Sequence, residues 1–195
     1  MKPIPYYKKH LKPSYGLFIL VFCFGVAVAA TTFSISSAQL MSVGNGYVLN
    51  AKIDYQLTPR VKEALNNGVP IVFLQEFELQ EVSTLWGGYW QWSTTVWQTE
   101  LRYELRYHAL TEQYVLQSID TGQQRNFPSL YSALDVLGQV TGLSLPPIYT
   151  VTIDDLQLQL RSGLDLYALP TPMRPGALLS DKWDLTSPWV IAQWQ

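Results

Sequence analysis

Alternation of apolar and polar residues with a period of two is the dominant pattern in this sequence. It is clearest from Leu49 to Leu57 and from Trp97 to Ala109, where every second residue is apolar except Thr99 and the residues between are polar or charged. This period is typical of a β-strand that buries one face and exposes the other. The pattern predicts strands at 47–57, 69–82, 97–109, 114–119 and 156–166, with a closing strand within 183–194.

Two short segments follow a helical pattern instead. In the first, Thr58 is predicted to cap a helix that has Pro59 as its first residue and ends at Gly68. In the second, Ser129 is the cap and Gly138 the end. Because each long strand has one polar face, the predicted fold class is mainly β: an antiparallel β-sandwich or half-barrel with two short helices. Segment 169–175, LPTPMRP, is predicted to be extended and unpaired, since proline has no N–H to donate.

The amino-terminal part is different in character. Four lysines lie within the first twelve residues, and an uncharged apolar run extends from Tyr15 to Ala30. A basic flank before an apolar run is typical of a segment inserted with its amino terminus in the cytoplasm. We therefore predict a cytoplasmic basic segment at 1–14, one hydrophobic helix at 15–35 as a transmembrane anchor or signal peptide, a tether at 36–45 and an exported β domain at 46–195. An uncleaved anchor places the domain in the periplasm on the inner membrane. Small residues at 27–29 and 36–38 leave a cleaved signal, and hence a soluble periplasmic protein, as the alternative.

Charge and composition exclude several classes of function. Of the thirteen basic residues four lie in the basic flank, which leaves nine against fifteen acidic residues, a net charge of about −6 on the remainder. Such a domain is repelled by nucleic acid. With one cysteine and two histidines in the sequence, we expect no metal site, no cofactor and no catalytic residue. His108 lies at the end of a polar strand face beside a turn, where a surface role is expected.

Several motifs resemble the bacterial domain-of-unknown-function family 4390. They are Tyr107-His108-Ala109-Leu110-Thr111 with Tyr114, Leu164-Asp165 followed by Leu169-Pro170-x-Pro172, and Trp183 with Ser187-x-Trp189. The resemblance extends from about residue 46 to residue 194. It implies an envelope protein with one amino-terminal hydrophobic segment and no assigned activity.

An aromatic, glycine-bearing stretch is the candidate binding site. LWGGYWQW, residues 85–92, holds four candidate binding residues: Trp86, Tyr89, Trp90 and Trp92. Burial in the core is one interpretation of these side chains, since a small sandwich fills its interior with large rings. The other is an exposed loop that contacts a partner, a sugar ring or the membrane surface. Trp97 is expected in the core.

Three functions remain open on this basis. The preferred hypothesis is a noncatalytic module that contacts another envelope or inner-membrane protein through the aromatic loop or a free sheet edge. The alternative is a small-ligand or glycan-binding envelope protein that uses the same loop. The third is a cell-wall glycan hydrolase using Glu76 and Glu78, whose backbones lie about 6.6 Å apart on one strand face.

Overall fold

The chain folds into two β-sheets with helices at their margins. The computed structural model describes residues 33–85, 90–147 and 155–195. In chain order its elements are β1 (Ser34–Val43), β2 (Gly46–Asp54), α1 (Pro59–Asn66), β3 (Ile71–Leu85), β4 (Trp90–His108), β5 (Gln113–Ser118), β6 (Gln124–Phe127), α2 (Leu130–Leu137), β7 (Gln139–Ser144), β8 (Leu156–Leu164), a 3₁₀ turn (Leu166–Ala168), α3 (Arg174–Leu178), β9 (Val190–Ile191) and β10 (Gln193–Trp194).

Sheet A has the strand order β10-β1-β2-β7, and sheet B has the order β6-β5-β4-β3-β8-β9. The named pairs are antiparallel apart from β1 with β10, which is parallel. Inward side chains of both sheets form one hydrophobic core. The predicted mainly β sandwich is therefore confirmed, with three helices rather than two among the described residues.

Burial follows the predicted periods. In β2, Leu49, Ala51 and Ile53 are buried, and in β3 Phe73 and Phe77 are. Both predicted helices are present with their caps: the Thr58 side chain accepts a hydrogen bond from the Val61 N–H, and that of Ser129 accepts one from the Ser132 N–H. One buried stripe on α1 (Val61, Ala64, Leu65) attaches that helix to the core.

The predicted tether at 36–45 is wrong. Residues Ser34–Val43 form β1, which pairs along its length with β2 and at Gln39 and Leu40 with β10. Phe33 is fully buried, with its ring centroid 4.7 Å from that of Tyr55 and 5.9 Å from that of Phe73. The β domain therefore begins before residue 46, and the predicted hydrophobic segment cannot extend to residue 35. The rest of that segment, and the basic segment before it, lie outside the described residues. No helix in the described part of the chain has the length and apolar character required to span a membrane.

The carboxy-terminal third also departs from prediction. Part of the segment predicted to be extended, 169–175, belongs to α3, in which Pro175 occupies the first turn, where a missing N–H costs nothing. The closing strand is split into β9, which joins sheet B, and β10, which joins sheet A. Between them the N–H of Ala192 donates to the carbonyl of Leu158. The chain end thus crosses between the sheets and closes that side of the core.

A buried chain of hydrogen bonds links the two sheets. Gln75 Nε2 donates to the Tyr55 hydroxyl at 2.8 Å and to the carbonyl of Leu137 at 2.9 Å. The Ser162 hydroxyl donates to the carbonyl of Leu74 at 2.8 Å, so the Tyr55 hydroxyl must donate to Ser162 across their 3.0 Å contact. These hydrogen bonds therefore connect the end of β2 to β3, β8 and α2. Gln75 Oε1 is buried without a partner among the described residues.

Replacement of Tyr55 by Phe is expected to lower the free energy of unfolding by about 1–3 kcal/mol at neutral pH, because Gln75 loses a buried acceptor. Burial raises the pKa of Tyr55 to about 12. The unfolded chain ionises this phenol near pH 10, so the wild type loses about 1.4 kcal/mol of stability per pH unit from about pH 10 to 12 on account of this group. When urea unfolding is measured as a function of pH, the difference in the free energy of unfolding between wild type and Tyr55→Phe should become smaller above pH 10. Tyr131→Phe, at an 81% exposed position, is the control. A gap that stays constant to pH 12 would contradict the buried neutral phenol.

Gly138 is required by a close approach of two backbones. Its carbonyl accepts the N–H of Ile53 at 2.8 Å, and a Cβ at this position would overlap the Ile53 carbonyl oxygen. Gly138→Ala is expected to cost about 3 kcal/mol, at the upper end of overpacking effects. Gly176→Ala, where a Cβ meets open space, should be neutral or slightly stabilising. Equal urea midpoints for the two variants would show that the approach at Gly138 is not this tight.

Candidate functional site

Strands β3 and β4 continue beyond the body of sheet B as a two-stranded extension. They pair from Ile71 with Leu105 to Leu85 with Trp90. On one side β8 accompanies β3 only as far as Glu81, and on the other β5 accompanies β4 only from Tyr103 to His108. We call residues 82–85 and 90–96 the arm. None of these residues is charged.

A β-bulge at Val96 sets the direction of the arm's side chains. Leu79 pairs with Trp97 and Gln80 with Thr95, so Val96 is the extra residue. Leu79 points into the core, and alternation from it places positions 81 and 83 on the same face. Trp92 pairs with Ser83, and Trp90 with Leu85. The two tryptophans therefore continue the core-facing side of sheet B beyond the core.

On this face Trp90 is 68% exposed and Trp92 46% exposed. They are two residues apart on one strand, about 6.8 Å along the backbone. They lie within β4 and not in a loop, which corrects the predicted local structure of this stretch. Trp86 and Tyr89 lie outside the described residues. Trp97, which was predicted to lie in the core, is half-buried and packs against it.

The arm lies at the end of the sandwich opposite to residue 33. Phe33 packs on Phe73, and β1 and β3 run from this end in the same direction. At the other end Trp194, paired with β1, donates its indole N–H to the carbonyl of Leu156 at 3.4 Å, and Leu156 pairs with Glu81 of β3. The thirteen residues of β3 from Phe73 to Leu85 correspond to about 40 Å of strand.

The main cavities of the described residues lie away from the arm tryptophans. The largest of four, about 930 Å³, lies between α1 and α3 and is lined by Thr58, Arg60, Met173 and Lys182 among others. Three cavities are smaller. One lies among β5, β6 and α2, a second lies between the end of β2 and α2, and a third lies on the outer face of β3 and β4. The rings of Trp90 and Trp92 thus stand on a protruding surface and line none of these four cavities.

The two carboxylates of the hydrolase hypothesis are both hydrogen-bonded on the outer face of sheet B. The Glu76 carboxylate accepts two hydrogen bonds from Arg161, one from Nε at 2.6 Å and one from Nη2 at 3.1 Å. The Arg161 guanidinium also lies over the Trp189 ring, 4.6 Å from its centroid, and its hydrogen bonds to Glu76 raise its pKa. Glu78 Oε2 accepts from the side-chain amides of Gln80 and Gln159 at 3.1 and 3.0 Å. Both oxygens of Glu76 are therefore engaged by one cation.

The remaining polar candidate is His108. Its Nδ1 lies 3.3 Å from the hydroxyl of Thr111 in the exposed turn after β4. Within the described ranges, no three His, Cys, Asp or Glu side chains are grouped closely enough to hold a metal ion.

Sequence reasoning missed the arm as a structural unit. The bulge at Val96 interrupts the period of two, so alternation predicted a strand only from Trp97 onward. The β-branched run Thr94-Thr95-Val96 was the available signal, since such residues favour strands.

Comparison with known proteins identifies a family for this chain. The model of the family described as Domain of unknown function (DUF4390) matches residues 30–193, which is most of the chain and includes β1. No curated protein and no solved structure matches it.

Replacement of both Trp90 and Trp92 by Ala is expected to change the free energy of unfolding by no more than about 1 kcal/mol, because each is a surface substitution. Trp183→Ala, at a residue only 4% exposed, should cost about 3–5 kcal/mol. Urea unfolding measures both changes in the free energy of unfolding. Acrylamide should quench a smaller fraction of the tryptophan fluorescence in the double variant than in the wild type, because the two exposed tryptophans are absent. A loss of several kcal/mol in the double variant would mean that these rings are core residues.

Proposed function

The chain belongs to the DUF4390 family, and we propose that it acts as a noncatalytic protein-interaction domain of the bacterial envelope, contacting a partner protein through the arm. The exposure of two neighbouring tryptophans, Trp90 and Trp92, on an uncharged two-stranded projection carries this proposal. Tryptophan is enriched and charge is depleted at the centres of protein interfaces.

We further propose that the domain is held at the inner membrane by the apolar segment from Tyr15 to Ala30, with the basic flank in the cytoplasm and the domain in the periplasm. Only residues 31 and 32 separate Ala30 from the buried Phe33, so an uncleaved anchor would keep the domain within about 10 Å of the bilayer. The tip of the arm is then about 40 Å along the strands from the point of attachment. This separation favours contact with another envelope or inner-membrane protein over insertion beside the anchor.

A small-ligand or glycan-binding role for the same residues is the second candidate. Two adjacent exposed indole rings can stack on sugar rings, which supports it. Ligand sites are concave and bury most of the ligand, however, and the arm tryptophans line none of the four main cavities of the described residues. The protein-partner proposal fits this protruding geometry better. Glycan hydrolysis is the weakest candidate, since Glu76 is occupied by Arg161.

Cross-linking in intact membranes followed by purification of the full chain tests the proposal. A specific protein should be recovered with the wild type and lost with Trp90→Ala/Trp92→Ala. Once purified, that protein should bind the variant at least about tenfold more weakly, since truncation of a tryptophan hot spot costs 2 kcal/mol or more. Tyr131→Ala/Tyr167→Ala is the matched control, because it removes two exposed aromatic rings away from the arm.

Two outcomes would count against the partner proposal. Recovery of the same proteins with wild type and folded double variant would remove the arm as the contact surface. A second outcome would favour the glycan alternative instead. In it, soluble cell-wall glycan fragments quench the tryptophan fluorescence of the wild type but not of the double variant, and no protein depends on the arm.

A further inference from the structure

Strand β4 has a long unpaired edge. Among the described residues β3 pairs with one side of it throughout, but β5 covers the other side only from Tyr103 to His108. Where β5 ends, the Arg102 carbonyl accepts the N–H of Ile119, and the Arg102 N–H donates to the Asp120 carboxylate at 3.0 Å. From Leu101 to Trp90 no described strand lies alongside this edge, and residues 90–96 are all exposed.

The main-chain groups that face this edge can be assigned by alternation. Arg102 directs its N–H and C=O towards the side of β5, so Gln98 and Glu100 do the same. The bulge at Val96 shifts the alternation by one residue, and on the arm the edge-facing groups belong to Gln91, Ser93 and Thr95. Their partners in β3 are Thr84, Val82 and Gln80. Val72 lies an even number of residues from these partners in β3, and its carbonyl accepts the N–H of Asp165 on the side away from β4. The main-chain groups of the partners therefore also face away from β4.

Natural edge strands are usually protected from addition of a further strand by charges, proline or bulges. Here the bulge at Val96 is the only such device on the arm. Beyond it the sequence WQWSTT, residues 90–95, has no charge, proline or glycine, and the first charge along the edge is Glu100 on the other side of the bulge. Six residues equal an average strand in length.

We propose that this edge of the arm is a self-association surface, to which the same edge of a second copy of the chain adds as an antiparallel strand. Every copy presents the same edge, and antiparallel pairing about Ser93 would place Gln91 opposite Thr95 with no like charges facing each other. Main-chain hydrogen bonds across a two-fold axis would form an isologous, closed interface. The proposal goes beyond the proposed function, because it uses the edge of the arm and leaves the Trp90 and Trp92 face free for a different protein.

This arrangement has a consequence for anchored chains. The two-fold axis that relates antiparallel neighbours in one sheet is perpendicular to that sheet. Two copies in the same membrane must be related by an axis along the membrane normal, so the plane of the arm at the paired edge would lie parallel to the membrane surface.

Disulfide cross-linking of the full chain in membranes tests the pairing directly. In a Cys23→Ser background, single cysteines are placed at Gln91, Ser93 and Thr95, with Thr111→Cys in the exposed β4–β5 turn as the control. Directly opposed residues of a hydrogen-bonded antiparallel pair have Cα atoms about 5.5 Å apart, within the range of a disulfide. Oxidation should give covalent dimers from Ser93→Cys if the pairing is centred on Ser93, or from one other arm position if the register is shifted, and few from Thr111→Cys. Dimers from no arm position, or equally from all four positions, would overturn the proposal.

The mass of the detergent-solubilised full chain provides a second measurement. Sedimentation should give twice the 22.2 kDa of one chain at high concentration. Ser93→Pro removes an edge-facing N–H that β3 does not use, and it should weaken the dimer by about tenfold or more because two hydrogen bonds are lost per pair. Ser93→Ala keeps that N–H and should leave the dimer unchanged, while Ser93→Lys should weaken it by adding a charge. A chain that is monomeric throughout, or a dimer equally stable in all three variants, would refute the edge pairing without bearing on binding by Trp90 and Trp92.

Discussion

The hydrogen-bonded chain from Gln75 through Tyr55 to Ser162 is the constraint on which the arrangement of the two sheets depends. Apolar contacts alone specify the position of one sheet over the other less sharply than hydrogen bonds do, because the hydrophobic effect has no direction. These polar groups are buried and directional, and breaking one contact leaves the full desolvation penalty of its partner. They fix the end of β2 against β3 and β8, and Gln75 also holds the last turn of α2 through Leu137. The end of the molecule that receives residue 33 is therefore its most strongly specified part.

The opposite end has the reverse character. Past Glu81 and Val96 no described strand or core side chain supports β3 and β4, and the hairpin is held by its own ladder. An isolated two-stranded hairpin is marginal in water, so the arm is expected to be the least stable strand region of the domain. Exposed tryptophans and an uncharged edge in such a region do not add to the stability of the monomer. Both features become favourable when another surface covers them, which is the physical basis of the two proposals.

Several predictions failed where a segment's structure is set by its neighbours. Residues 34–43 are small and polar enough to be predicted as a tether, but β2 pairs with them along their length and β10 pairs with Gln39 and Leu40, which makes them a strand. Strands β6 and β7 are short and have little periodicity of their own. β6 pairs with β5 and β7 pairs with β2, so each is positioned by a strand that precedes it in the sequence. In α3, proline occupies a first turn that requires no N–H, so a residue taken as a sign of extended structure is compatible with a helix.

The sequence by itself determined the strand segments with regular alternation, the two capped helices, the family and the group of aromatic residues in which Trp90 and Trp92 lie. These features depend on periodicity, capping and local composition, which are properties of neighbouring residues in the chain. Only the tertiary structure decided that the two tryptophans are exposed, that they lie at the end of the sandwich away from residue 33, and that the edge of β4 beside them is unpaired among the described residues. The alternation of a strand says which side chains share a face. It does not say how far the opposing sheet extends over that face, and the extent of that cover decides whether an aromatic ring belongs to a core or to a surface.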